Sequence, residues 1–213
     1  MRRLWGNDRR GRLVQLILLC CLCFFASCSD DKGGDYPSLV TDLALVKASA
    51  KGMLERVTLD DGTTYDIAAQ QFQIDVADTL MRCLAAYTLK DGKMHLYRVK
   101  SVFSDQPKTP AEWAAKLEVA ADQLPRHPVK LVSAWRSGGF VNLHVGVLTT
   151  GAGKHGLAFC EDATGQYSLL HLRPDSDAES YTENVYLSMP IPEGVGNLTF
   201  SLTTYDGTVT KTF

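Results

Sequence analysis

Val57-Thr58-Leu59-Asp60-Asp61-Gly62-Thr63-Thr64-Tyr65-Asp66-Ile67 is the stretch that decides the fold. Two β-prone runs flank an Asp-Gly pair whose residues tolerate positive φ, so the chain reverses there into a tight hairpin. The same device stands at Lys90-Asp91-Gly92, joining Leu80–Leu89 to Lys93–Val102, and at Asp206-Gly207, which turns Thr208–Phe213 back along the strand before it. Upstream, Leu39–Ala48 is mostly apolar and Gly52–Leu59 leads into the first turn. Five short strands in about 65 residues match a small closed barrel such as an OB-fold, although strand count alone does not separate it from an SH3-like barrel. Met81, Cys83, Ala85, Tyr87 and Leu89 fall on one side of the fourth strand and read as its core-facing set.

After Phe103 the chain changes character. Ser104-Asp105-Gln106-Pro107-Lys108-Thr109-Pro110 is a turn followed by a helix start. Thr109 is placed to cap, Pro110 to occupy the first helical position, and Glu112 to reach back as the capping-box carboxylate. High helix propensity runs through Leu117 and predicts a helix extending to about Gln123, with Pro125 and Pro128 ending it. This segment reads as a linker between two units.

From Val129 onward the period is two. Val141, Leu143, Val145 and Val147 point one way; Asn142, His144 and Gly146 point the other. Val185, Leu187 and Met189 alternate with Tyr186 and Ser188, and Leu198, Phe200 and Leu202 with Thr199 and Ser201. Such one-sided alternation predicts a sheet with one wet face, and six or seven strands of it predict a β-sandwich. On the wet face, Phe140, Asn142 and His144, flanked by Trp135 and Arg136, form a candidate binding surface. An aromatic ring, an amide and an imidazole together can stack on and hydrogen-bond a sugar or a peptide. The competing expectation is that the linker helix or the barrel covers this face.

The N-terminus has its own logic. Arg2, Arg3, Arg9, Arg10 and Arg12 precede an uncharged run from Leu13 to Phe25. Thirteen helical residues span roughly 20 Å, short of the ~30 Å hydrocarbon core, which is signal-peptide length rather than a membrane span. Phe24-Phe25-Ala26-Ser27-Cys28 resembles a bacterial lipobox, with Cys28 as the lipidated first residue of the mature chain, although Phe25 stands where Leu is usual. Ser29-Asp30-Asp31 behind it resembles the surface-export tag of Bacteroidetes-type lipoproteins. The tether's Asp30, Asp31 and Asp35 lack the spaced ligands and closing Glu of a calcium loop. Asp78-Thr79-Leu80 is similar to the triplet glycosylated in exported proteins of the same bacteria, making Thr79 a candidate O-glycosylation site.

The whole sequence of 213 residues carries 22 basic and 24 acidic side chains, a formal net charge of −2. Removing residues 1–27 takes five Arg and one Asp and leaves 17 basic against 23 acidic side chains, about −6. That sign argues against a nucleic-acid partner, which needs a basic face. Of six cysteines only Cys83 and Cys160 remain in the folded part, too few for a disulfide scaffold or a Cys-based zinc site; the two could pair in an oxidising compartment, but the apolar set around Cys83 favours buried and free.

The stretch Val57–Thr63 and the later Trp135-Arg136-Ser137-Gly138-Gly139-Phe140-Val141-Asn142-Leu143 together resemble the NigD-like lipoproteins. The order of parts is similar too: lipobox, acidic tether, small barrel, Pro-flanked linker, sandwich. The resemblance covers essentially the whole mature chain. It implies an OB-like N-terminal domain and a C-terminal sandwich, and through the family's association with a bacteriocin gene cluster it hints at an accessory or immunity-type role. It carries no set of functional residues.

Chemistry is sparse. His95, His127, His144, His155 and His171 show neither a His-Glu-x-x-His motif nor metal-helix spacing, although His155 and His171 fall on neighbouring predicted strands. Gly151-Ala152-Gly153-Lys154-His155-Gly156 lacks the order of a phosphate loop and reads as a turn, and no Gly-x-Ser-x-Gly elbow is present. Glu161-Asp162 and Asp175/Asp177 read as solvated loop carboxylates. The expectation is therefore a mainly β protein: signal peptide 1–27, lipidated tether 28–37, five-stranded OB-like barrel 38–104, linker with one short helix 105–128, and β-sandwich 129–213. It is expected to be a non-enzymatic outer-membrane lipoprotein, surface-exposed or else on the periplasmic face. Membrane contact is expected through the lipid anchor, with a protein or glycan partner in the envelope, no nucleic acid, no metal and no cofactor. A bacteriocin-associated immunity-type protein is the alternative, and a hydrolase the third reading.

Overall fold

A computed structural model describes residues 38–70, 74, 75, 77–178 and 180–213. Cys28, the signal segment and the tether lie outside them. Leu39–Phe213 forms one compact unit.

The first five strands are β1 (Val40–Ala48), β2 (Leu54–Leu59), β3 (Thr64–Gln70), β4 (Leu80–Lys90) and β5 (Lys93–Ser101). They close into a barrel in the order β1-β2-β3-β5-β4. The parallel pairing of β3 with β5, Ile67 opposite Met94, is the step that makes it OB-like rather than SH3-like. The β4–β5 turn has Asp91 and Gly92 both at positive φ, as a type I′ hairpin requires. In the β2–β3 turn the Asp61 carboxylate accepts the Thr63 N–H at 2.7 Å. Ala44, Val46, Val57, Cys83, Ala85, Tyr87, Met94 and Leu96 fill the barrel. The apolar face expected on β4 thus holds through Tyr87, but Leu89 is 48% exposed because the strand has by then run past the barrel rim.

The next strand, β6 (Phe103–Ser104), starts two residues after β5 ends and pairs in parallel with β11 (Tyr181–Pro190). Helix α1 (Pro110–Leu117) follows, with the expected capping box: Thr109 accepts the Glu112 N–H, and Glu112 accepts the Thr109 N–H at 2.8 Å. It is shorter than the sequence suggests. Glu118 takes a left-handed cap conformation that ends the helix, and residues 121–123 form a separate 3-10 turn. Trp113 turns inward, donating from its indole N–H to the Phe159 carbonyl at 2.8 Å, and packs with Leu124, Cys160 and Leu170. The segment expected as a linker therefore lies along the sandwich, with bridges from Lys108 to Cys160 and from Arg126 to His171.

The sandwich adds β7 (Lys130–Ser137), β8 (Phe140–Thr149), β9 (Gly156–Ala163), β10 (Gln166–Leu172), β12 (Thr199–Thr204) and β13 (Gly207–Thr212). One sheet runs β13-β12-β10-β9, the other β6-β11-β8-β7. Val141, Leu143, Val145, Val147, Phe159, Tyr167, Leu187, Met189, Phe200 and Leu202 interdigitate between them. Cys83 and Cys160 are both buried and free.

Candidate binding cleft

The polar face of β8 is where barrel and sandwich meet. Arg82 projects from β4 on the side opposite the barrel core and is 4% exposed. Its guanidinium forks onto Asp60, Nη1 to Oδ1 at 2.5 Å and Nη2 to Oδ2 at 2.8 Å. It donates further to Asn142 Oδ1 at 3.0 Å and to Ser188 Oγ at 3.2 Å, and its carbon lies 4.2 Å from the centre of the Phe140 ring. Ser137 Oγ donates to Asp60 Oδ2 at 2.6 Å, Asn142 Nδ2 to Ser137 Oγ at 2.9 Å, and Ser188 Oγ to Asn142 Oδ1 at 2.6 Å. The result is a closed ring of hydrogen bonds that pairs a buried cation and leaves no member of the ring unpartnered.

Backbone shape is part of the device. Gly138 stands at φ +58 in the β7–β8 turn, and a Cβ placed there would lie 2.5 Å from Asp60 Oδ1 and 2.9 Å from Asp60 Cα. Two hairpin turns thus dock tip to tip, and only glycine leaves room for the approach.

Beside this ring an open cleft of about 550 Å³ runs between the two halves. Asp42, Asp60 and Asp61 line it from the barrel; Trp135, Ser137 and Tyr186 line it from the sandwich. The Asp42 carboxylate accepts the Tyr87 hydroxyl at 2.8 Å, and burial pushes that phenol up from its ordinary range. Hydrogen bonds from Thr63 hold the Asp61 carboxyl below the usual carboxylate range. Behind Tyr186, the His144 ring stacks at 4.3 Å and 12°, its Nε2 buried without a hydrogen-bond partner.

The wet face expected on β8 is therefore corrected. Asn142 is 0% and Phe140 9% exposed, covered by the barrel through Arg82, so the two cannot meet a ligand directly. Trp135 stays half-buried in the cleft wall, and His144 is half-buried behind it. Asp42, Asp60, Asp61, Arg82 and Tyr186 belong to the site without having been singled out. Thr79 is exposed, next to Asp78 at φ 48, with its hydroxyl on the Ala77 carbonyl at 2.7 Å.

A second polar cluster lies at the end of β10. Asp177 accepts from the Thr149 and Thr150 hydroxyls and from the Thr150 N–H at 2.6 Å, and these donors, Thr149 first, hold its carboxyl well below the usual range. His155 Nε2 lies 2.5 Å from Asp177 Oδ2, His155 Nδ1 lies 2.8 Å from His171 Nε2, and His171 Nδ1 donates to the His127 carbonyl at 3.1 Å. An acceptor closes each end of this chain, the Asp177 carboxylate at one and the His127 carbonyl at the other. Burial keeps the His171 pKa below its ordinary value. The His155 nitrogen that a catalytic triad would aim at a nucleophile meets a second imidazole instead, and the chain ends on a backbone carbonyl. Asp177, expected as a solvated loop carboxylate, is buried. Among the described residues no group of three or more His, Cys, Asp or Glu could hold a metal ion.

No protein-family model and no curated sequence matches the chain. Solved structures do. A NigD-like immunity protein from Bacteroides caccae aligns over 83% of this chain and 93% of its own, with 22% identity and a TM-score of 0.65. This chain has the NigD-like fold. A protein described as toxin-related from Parabacteroides distasonis aligns over 83% of this chain and 92% of its own, with 16% identity and a TM-score of 0.68. A Bacteroides vulgatus protein of unknown function aligns over 82% and 90%, at 12% identity and a TM-score of 0.61. In this chain the two sequence stretches that carry the resemblance, Val57–Thr63 and Trp135–Leu143, are the two turns that dock at the junction, through Asp60 and through Ser137, Gly138, Phe140 and Asn142.

Proposed function

We propose that this chain is a NigD-like envelope lipoprotein, anchored through Cys28 in the outer membrane and exposed at the cell surface. It works without catalysis, as an accessory or immunity-type module that binds a protein or glycan in the cleft between barrel and sandwich. The observation that carries this reading is the cleft itself: aromatic and acidic side chains from both halves line one concavity whose walls are pinned together by the Arg82 ring. The names of two structural neighbours, an immunity protein and a toxin-related one, support the accessory role. The dead-end histidine chain supports a binding role over a hydrolytic one. The bacteriocin-associated variant of this reading differs only in the partner, an incoming toxin rather than a resident envelope component.

The test is cross-linking capture on intact cells with wild-type protein and the Trp135→Ala/Tyr186→Ala variant, beside challenge of a deletion strain with toxins from competing strains. A specific partner lost in the double variant is the expected result. Equal capture by both, with unchanged survival of the deletion strain, would overturn the reading. Metabolic labelling with a palmitate analogue, abolished by Cys28→Ser, checks the anchor separately, and protease shaving of intact cells checks exposure.

A further inference from the structure

Three carboxylates line the cleft, and they are not equivalent. Asp60 is paired with Arg82, while Asp42 and Asp61 have no basic partner among the described residues. Asp42 is occupied by a neutral phenol and Asp61 by the Thr63 N–H, so both negative charges stand uncompensated at the rim of one concavity. Two carboxylates of the same sign face one cleft, so a cation entering between them is attracted by both. The opposite wall presents Trp135 and Tyr186, whose ring faces attract cations. The junction next door already shows this chemistry filled from within: there the Arg82 guanidinium lies between the Asp60 carboxylate and the Phe140 ring. The cleft repeats the pattern of acids on the barrel side and aromatics on the sandwich side, without supplying the cation.

We propose that the cleft is a recognition site for an arginine or lysine side chain on a basic segment of the protein partner. This rests on the reading of the cleft as the binding site and specifies its chemistry. Guanidinium fits better than ammonium, because its planar fork can take a carboxylate in-plane while stacking on an aromatic face. A glycan would use the aromatic walls and one carboxylate as acceptor, but it would leave the second charge uncompensated.

The experiment titrates the full-length protein in detergent with acetyl-Arg-Arg-Arg-amide, its citrulline counterpart as a neutral isostere, and chitotriose, following tryptophan fluorescence at low and at 0.3 M salt. The tri-arginine peptide is expected to bind at least tenfold more tightly than the citrulline peptide, and to weaken with salt as exposed charge pairs do. Asp42→Asn/Asp61→Asn is expected to remove at least nine-tenths of that preference. Both changes are isosteric, keep the Tyr87 and Thr63 hydrogen bonds available, and should leave the unfolding midpoint near wild type. Binding of the citrulline peptide or of chitotriose as tightly as tri-arginine, or a tri-arginine affinity unmoved in the double variant, overturns the proposal. Cell-surface capture separates this failure from that of the parent reading. A partner lost with Trp135→Ala/Tyr186→Ala but kept with Asp42→Asn/Asp61→Asn overturns the cationic specificity alone, whereas a partner kept by both variants overturns the cleft as a binding site.

Discussion

Two buried polar networks hold this molecule together, and they differ in kind. The ring at the junction is built from a permanent ion pair with hydroxyl and amide partners; the His155–His171–Asp177 chain is built from groups that exchange protons. The first fastens two halves that could each be a domain. The second fastens the loop bearing Asp177 to the ends of both sheets, through Thr149 on β8 and through His155 to His171 on β10. The difference teaches that one chain can fix its architecture with contacts indifferent to mild acid and fix a loop with contacts that are not.

The largest break should come from Asp60→Ala. It strands the Arg82 guanidinium in a buried site, and removing one partner of a buried pair costs about 3–5 kcal/mol. Denaturant unfolding should show that loss, and Arg82→Met added to Asp60→Ala should recover part of it. A loss below ~1 kcal/mol would mean that the junction is pinned by something else. Gly138→Ala should come next, at about 1–3 kcal/mol, because a left-handed backbone and a close approach are both violated.

A smaller effect is expected from acid alone. The His171 pKa is lowered in the fold, so the native state favours its neutral form. Its contribution is complete above the ordinary His value of ~6.5 and is lost as pH falls, since the unfolded chain takes the proton more readily. The Asp177 pKa is depressed, so its contribution persists to lower pH and is lost only as pH falls below the ordinary carboxylate value of ~3.9. Thermal unfolding from pH 7 to 5 should therefore show a falling midpoint, flattened in His171→Asn and unchanged in slope in Ser188→Ala, which perturbs the other network. Equal slopes in all three proteins would remove the contrast. The smallest effect is a null: burial pushes both Cys83 and Cys160 up to about 12, so neither should alkylate at pH 8 until the protein unfolds, as peptide mapping can show.

What the sequence made legible was local. The Asp-Gly turns, the capping box at Thr109 and the alternation in β8 and β11 are decided by neighbours within a few residues, and they place most strands correctly. The parallel β3–β5 step joins strands about 27 residues apart with β4 between them, so no short-range pattern could separate the two barrel types. The candidate surface on β8 misled because alternation reports one apolar face and is silent about what covers the other. Asn142 and Phe140 are polar-side residues buried by a second set of strands, and β8 is buried on both faces for much of its length. One signal was available: Arg82 interrupts Leu80-Met81-Arg82-Cys83-Leu84-Ala85-Ala86, and a single charge in an apolar strand needs a partner. Nothing nearby named Asp60, 22 residues earlier, as that partner.

The direct passage from β5 to β6 through Val102 bears on how a partner would arrive. Because the barrel's last strand enters the sandwich sheet after a single buried residue, turning one half against the other would tear β6 from β11 before the cleft could widen. The cleft has no jaw. Association should then proceed in one step whose rate scales with partner concentration and shows no plateau from a slow closing event, and discrimination between partners should fall on how long each stays.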